Sequence, residues 1–138
     1  MARILAIDYG GKRTGLAVTD PLQIIATGLT TVATKDLIAF LKDYCTKEQV
    51  ERFIIGEPRN WDDSETHATP LVEAFIKELA RHFPAIPIEK VDERYTSKMA
   101  KQSMLESGMK KKDRRKKELV DEIAATIILQ EYMGRFNP

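Results

Sequence analysis

The stretch Ala2–Gly15, ARILAIDYGGKRTG, decides how the chain is read. An apolar run, Ile4-Leu5-Ala6-Ile7, leads into Asp8, and the chain then breaks at Gly10-Gly11. A continuous apolar run of this length, closed by glycines, predicts a strand buried on both faces. Asp8 then falls at the strand's carboxyl end, where open α/β sheets bind their ligands. Gly10, Gly11 and Gly15 let the backbone turn sharply and let something bulky approach closely. Lys12 and Arg13 put positive charge beside the carboxylate, as a site handling phosphates requires. The same stretch also suits a strand-end aspartate that only caps a turn.

Outward from this stretch, Leu16–Thr19 predicts a second strand, and Asp20-Pro21 a turn. Leu22–Val32 predicts a third strand, with a bend or bulge at Gly28. Such short connections make a three-stranded antiparallel meander. Thr34 is a plausible N-cap for a helix to about Lys47, with Leu37, Phe40, Leu41 and Tyr44 facing inward. Glu51–Gly56 predicts another buried strand. A polar, turn-rich segment follows, and Thr69-Pro70 then opens a helix to about Phe83, its apolar positions Leu71, Val72, Phe75, Ile76 and Leu79. Ile86–Val91 predicts a fifth strand, placed at a sheet edge by Pro87, which delivers Asp92-Glu93-Arg94. Thr96 or Ser97 caps a helix ending at Gly108, and a last helix covers about Arg115–Met133. This order implies an α/β architecture, one mixed sheet with helices on its faces. Its first, fourth and fifth strands are parallel.

The 138 residues suit a single domain, and a composition 43% hydrophobic and 31% charged is that of a globular chain. A formal net charge of +1 gives no global field, so charge placement matters more than its sum. The lone Cys45 excludes an internal disulfide, suits a reducing compartment and falls in a helical core pattern. No apolar run is long enough for a membrane span, and the N-terminus shows no signal-peptide core, so no membrane partner is expected. The expected location is the cytoplasm.

Three carboxylates stand apart. Asp8 ends the first strand, and Glu93, with Asp92 beside it, ends the fifth. Asp121 is singled out by helical geometry. Glu118, Glu122, Thr126 and Gln130 make the last helix's polar stripe, whereas Asp121 shares a face with Ala124, Ala125, Ile128 and Tyr132. A carboxylate on that face needs a cation, a metal or hydrogen bonds. A structural arginine or a backbone turn would also satisfy it. The small Ala124 and Ala125 let the helix come close to the sheet. Carboxylates converging at strand ends suit hard cations, Mg²⁺ or Mn²⁺. Two such ions about 3.5–4 Å apart stabilise the attacking and leaving oxygens in phosphodiester hydrolysis.

Lys110, Lys111, Lys112, Arg114, Arg115, Lys116 and Lys117 supply seven cations in eight residues just before Asp121. That placement suits a nucleic-acid backbone, read through charge, since the run holds no aromatic residue. A solvated loop and helix start is the plainer reading of such a run. Trp61 and Tyr95 are the aromatics near strand ends that could stack on a base or simply pack at the rim. Only two histidines and no CxxC argue against zinc, with His82 placed as a charge partner at a helix end. There is no nucleophile elbow and no GxxxxGK[ST] loop.

AIDYGGKRTGLAV at the start, FIIGEPRNWDDSE in the middle, VDERYTS on the fifth strand and VDEIAATIIL in the last helix occur in order. With these four motifs the chain resembles the YqgF family, Holliday-junction-resolvase-like proteins that include pre-16S ribosomal RNA nucleases. The resemblance covers essentially the whole chain, 1–138, as a single nuclease domain. It implies a ribonuclease-H-like fold with a five-stranded mixed sheet in the order 3-2-1-4-5, and metal-dependent phosphodiester cleavage by a hydrolase. The family's three acids fall on Asp8, Glu93 and Asp121, the residues already isolated. The resemblance implies that Asp8 bridges the metals, that Glu93 and Asp121 complete the coordination, and that Arg94 holds a phosphate or orients Glu93. Lys12 and Arg13 join the basic run as nucleic-acid contacts. No organic cofactor is implied. Glu57 stands where many members have leucine, and it is either an extra acid or a surface turn residue.

The leading expectation is an Mg²⁺- or Mn²⁺-dependent endonuclease that processes the 5′ end of the pre-16S ribosomal RNA during ribosome biogenesis. Ribosomal particles are the wider partner. A DNA-junction resolvase is the second, and it requires a symmetric dimer. A non-catalytic RNA- or ribosome-binding factor is the third. The sequence leaves monomer and homodimer both open.

Overall fold

The computed structural model describes residues 2–57, 69–92 and 117–136. Strands β1 (Arg3–Asp8), β2 (Arg13–Thr19) and β3 (Ala26–Ala33) form the antiparallel meander. Helix α1 (Leu37–Lys47) leads to β4 (Val50–Glu57), and α2 (Thr69–His82) leads to β5 (Ile88–Asp92). Helix α3 (Lys117–Phe136) closes the chain. The sheet order is β3-β2-β1-β4-β5, with β4 parallel to both β1 and β5. The order is the one that the family resemblance implies, and the edge position of β5 is the one that Pro87 suggests. Pro87 precedes β5, and its carbonyl accepts from Phe53 N at 2.9 Å, which needs no N–H from the proline.

Period-2 alternation along the central strands divides the core into two layers. Leu5, Ile7, Leu16, Val18, Phe53 and Ile55 face Leu37 and Leu41 of α1 and Val72, Phe75 and Leu79 of α2. Ile4, Ala6, Ala17, Ile54 and Val91 face Ala125, Ile128, Leu129 and Tyr132 of α3. β1 and β4 are covered on both faces, which is why their sequences are continuous apolar runs rather than alternating ones. Phe53 is wholly buried, and truncating a core phenylalanine to alanine costs about 3–5 kcal/mol.

Four local expectations are corrected. The third strand begins at Ala26, not Leu22. Residues 22–25 are instead wound around Asp20, whose Oδ1 accepts from Ile24 N at 2.7 Å and Ile25 N at 2.8 Å. Its Oδ2 accepts from Leu22 N at 3.2 Å, and a carboxylate that satisfies three amides outcompetes a strand ladder. The bulge in β3 is real: Leu16 pairs Thr30 and Ala17 pairs Gly28, so Leu29 is the extra residue. Thr34 is not an N-cap; a 3-10 turn over Thr34–Asp36 precedes α1, and the Thr34 hydroxyl is used elsewhere. Leu71 is exposed, one position off the stripe that Val72, Phe75 and Leu79 bury. The expected polar stripe of α3 is only partly solvated, because Glu122 and Thr126 lie over Gly28 of β3. The helix expected between Thr96 and Gly108 lies outside the described residues.

Candidate active site

β1 carries Asp8 to the end of the sheet, where the register places it opposite Gly15 of β2. Ile4 and Ala6 both point into the α3-side core, so alternation puts Asp8 in the same row. On β2, Ala17 points to that side as well, which places Gly15 and Arg13 in its row. Helix α3 then supplies Asp121. A Cβ added to Gly15 would run into the Asp121 backbone carbonyl and come within 3.0 Å of the Asp121 Cβ. Glycine at this position is therefore what allows α3 to reach the sheet. Asp8 and Asp121 arrive at one end and one face through Gly15, which touches the chain of both.

Arg13 enters the same corner. Its Nε donates to Asp121 Oδ2 at 3.1 Å, with the two side chains 34% and 24% exposed. At that exposure the pair is partly screened and contributes about 0.2–1 kcal/mol. Arg13 is thus a cation beside Asp121, the partner that the structural-arginine reading of this carboxylate expects.

The turn after Asp8 is fixed by a closed ring of hydrogen bonds. The Thr34 hydroxyl donates to Gly10 O at 2.6 Å, which commits its proton. Thr14 Oγ1, 2.9 Å from Thr34 Oγ1, is therefore the donor in that contact. Gly10 N donates in turn to Thr14 Oγ1 at 3.4 Å, closing the circle. Thr34 N donates to Lys12 O at 2.9 Å as well. A Cβ on Gly10 would meet the Arg13 carbonyl. Tyr9 stacks on Phe75 of α2, with ring centroids 4.5 Å apart and planes at 18°. Burial, helped by Glu78, raises the Tyr9 phenol, so it stays neutral and anchors rather than reacts. Sequence reasoning missed Thr14, Thr34 and Tyr9 as supports of the site, because their partners lie on other elements.

Glu57 is the last residue of β4, the strand beside β1, and its backbone is level with Asp92 of β5. Glu93, Arg94 and Lys110, Lys111, Lys112, Arg114, Arg115 and Lys116 lie outside the described residues, as do Trp61 and Tyr95; Lys117 is the first residue of α3. Among the described residues no three possible metal ligands cluster. The acids that are described offer hard carboxylate oxygens from two elements, a donor set suited to Mg²⁺ or Mn²⁺ and not to a soft metal. His82 sits in the last turn of α2, 4.0 Å from Glu78, away from this chemistry. Burial raises the Cys45 thiol, which fits a packing role.

The family model for RuvX, described as Holliday junction resolvase, matches residues 2–135. The chain belongs to the RuvX family.

Two proteins are similar to this RuvX chain over nearly its whole length. A protein of Flavobacterium psychrophilum named "Putative pre-16S rRNA nuclease" is 57% identical over 135 residues, covering 98% of each chain. A protein of Christiangramia forsetii with the same name is 59% identical over 133 residues, 96% of this chain and 98% of its own. Among solved structures, T. thermophilus RuvC in complex with a Holliday junction substrate is similar at a TM-score of 0.61 and 17% identity, covering 99% and 97% of the two chains. Fowlpox virus resolvase, solved with Holliday junction DNA, gives 0.58 and 14%, with 99% of each chain covered. At such identity the likeness concerns the fold, which is the ribonuclease-H-like arrangement of resolvases. No helix among the described residues of this RuvX chain is long and apolar enough to cross a membrane.

Proposed function

We propose that this chain is a metal-dependent endonuclease that cleaves phosphodiester bonds in the pre-16S ribosomal RNA precursor. The observation that carries this reading is the 57% identity, over 98% of both chains, to a relative named "Putative pre-16S rRNA nuclease". The approach of Asp121 to the strand that faces Asp8 supports it chemically.

Asp8, Asp121 and Glu93 are the residues that would hold Mg²⁺ or Mn²⁺. When bound, the metal would polarise the phosphodiester and lower the pKa of an attacking water. The Thr14–Thr34 ring fixes Gly10 and the stack on Phe75 fixes Tyr9, so the backbone that follows Asp8 is held in place. Asp121 is held by Arg13 and by the seat at Gly15. Lys12, Arg94 and the run from Lys110 to Lys117 would bind the phosphate backbone. Such contacts are read by charge and confer affinity rather than sequence preference. Glu57, the last residue of β4, would be the further acid. The working location is the cytoplasm, with ribosomal particles as the wider partner.

The family description, Holliday junction resolvase, favours a second reading in which the substrate is a four-way DNA junction. The substrate experiment separates them. Purified protein with Mg²⁺ or Mn²⁺ is given a structured ribosomal RNA precursor and, separately, a four-way junction. The RNA reading expects cleavage of the precursor, lost in Asp121→Asn. Cleavage of the junction alone would replace it with the second reading. RNA binding without cleavage of either would leave a binding factor.

A further inference from the structure

Arg13 and Asp121 are 108 positions apart in sequence, yet they form one of the few cross-element ion pairs of the described chain. The pair lies at the corner where Gly15 seats α3 beside Asp8. Two carboxylates directed to one end and face of the sheet repel each other, and a cation paired with one of them relieves part of that cost. In the structure that cation is a guanidinium on the first residue of β2. Its Nε occupies Asp121 Oδ2, one of the oxygens a divalent ion would take.

We propose that Arg13 is a positioning residue that stands in for the metal, so that a divalent cation and the Arg13 guanidinium compete for Asp121. This rests on the metal-site reading above. The geometry fits an exchange rather than a fixed brace. Both side chains retain access to water, at 34% and 24% exposure, so the pair can open without stranding a buried charge. Arg13's backbone is fixed independently, paired with Ala33 and placed next to the Lys12 carbonyl that Thr34 holds. The guanidinium can therefore leave while the strand stays. The proposal makes Arg13 a brake on metal affinity in the empty protein and a guard on the conformation of Asp121 until metal arrives.

A fixed brace and a stand-in predict opposite signs. Calorimetric titration with Mn²⁺ alone, without nucleic acid, is run on the full chain as wild type, Arg13→Gln and Asp121→Asn at neutral pH and low salt. Circular dichroism first establishes that each variant is folded. The stand-in expects Arg13→Gln to bind Mn²⁺ more tightly, by up to about fivefold, the limit set by releasing a partly exposed ion pair. Equal or weaker binding by Arg13→Gln, with Asp121→Asn clearly weakened, overturns this proposal and leaves the metal site standing. Asp121→Asn binding like wild type, or no Mn²⁺ binding by wild type and Arg13→Gln alike, overturns both. If Arg13→Gln is unfolded, the wild type decides: on titration with Mg²⁺ the Arg13 Nε–H resonance is expected to shift and to exchange faster with water. An unmoved resonance at saturating Mg²⁺ overturns the proposal.

Discussion

Gly15 of β2 and Asp121 of α3 are packed so closely that no side chain fits between them: a Cβ on Gly15 would strike the Asp121 carbonyl. The same glycine pairs with Asp8 across the β1–β2 ladder. One residue without a side chain thus sets how near the helix carboxylate comes to the strand carboxylate. The small Ala125, wholly buried in the layer between α3 and the sheet, extends that close seat along the helix, whereas Ala124 is buried with Ile123 and Ile127 instead.

Gly15→Ala is therefore expected to push α3 off the sheet. Overpacking against backbone costs about 1–3 kcal/mol, and chemical denaturation would show it as a lower midpoint. Cleavage should fall further than stability alone explains, since Asp121 moves with the helix. An unchanged midpoint would mean that α3 does not sit as described.

Thr34→Val removes the hydroxyl that links Thr14 to Gly10 O. Thr14 is wholly buried, so its hydroxyl cannot turn to water for a substitute. The expected loss is about 1–3 kcal/mol, while Thr34→Ser, which keeps the oxygen, should recover most of it. A loss in Thr34→Ser with none in Thr34→Val would assign the effect to packing of the methyl group instead.

Much of this architecture is legible in the residues, and the exceptions share one cause. Ile4–Ile7 and Phe53–Ile55 declare buried strands by their continuous apolar runs, and Asp121 declares itself by lying off the polar stripe of α3. What the sequence hides are partnerships chosen across space. Thr34 has the residue type and position of an N-cap, yet its proton goes to Gly10. Leu22–Ile25 is rich in strand-forming residues, yet Asp20 captures its amides locally. Arg13 reads as a phosphate contact beside Asp8, and nothing in local spacing shows that it reaches Asp121. The strand order beyond the meander came from family resemblance, because periodicity fixes faces and not neighbours.

The Asp20 turn carries its own pH signature. Hydrogen bonds from the backbone, Ile25 first and then Ile24 and Leu22, hold its carboxyl below the usual carboxylate value. A group depressed on folding contributes order that is complete above its unfolded pKa and is lost as pH falls through the folded one. The amides of Leu22, Ile24 and Ile25 should therefore keep their hydrogen-bonded NMR shifts at neutral pH and lose them only in the acid range. In Asp20→Asn the acid transition should vanish. A transition that persists in that variant would belong to another group.

Nucleic-acid affinity should depend steeply on salt if the run Lys110–Lys117 meets phosphates. Each lysine or arginine replaced by glutamine there should flatten the log–log salt slope by about 0.7–0.9. Filter binding or fluorescence anisotropy across a salt series measures it. A slope unmoved by several such replacements would place the backbone contacts elsewhere.

The central claim is that Asp8 serves the chemistry and not only the strand end. The direct test is cleavage and binding of the pre-16S RNA precursor, with Mg²⁺ or Mn²⁺, by the wild type and by Asp8→Asn. The account predicts that Asp8→Asn folds, melts near the wild type and still binds the RNA, but leaves it uncut. Cleavage by Asp8→Asn at the wild-type rate would contradict it.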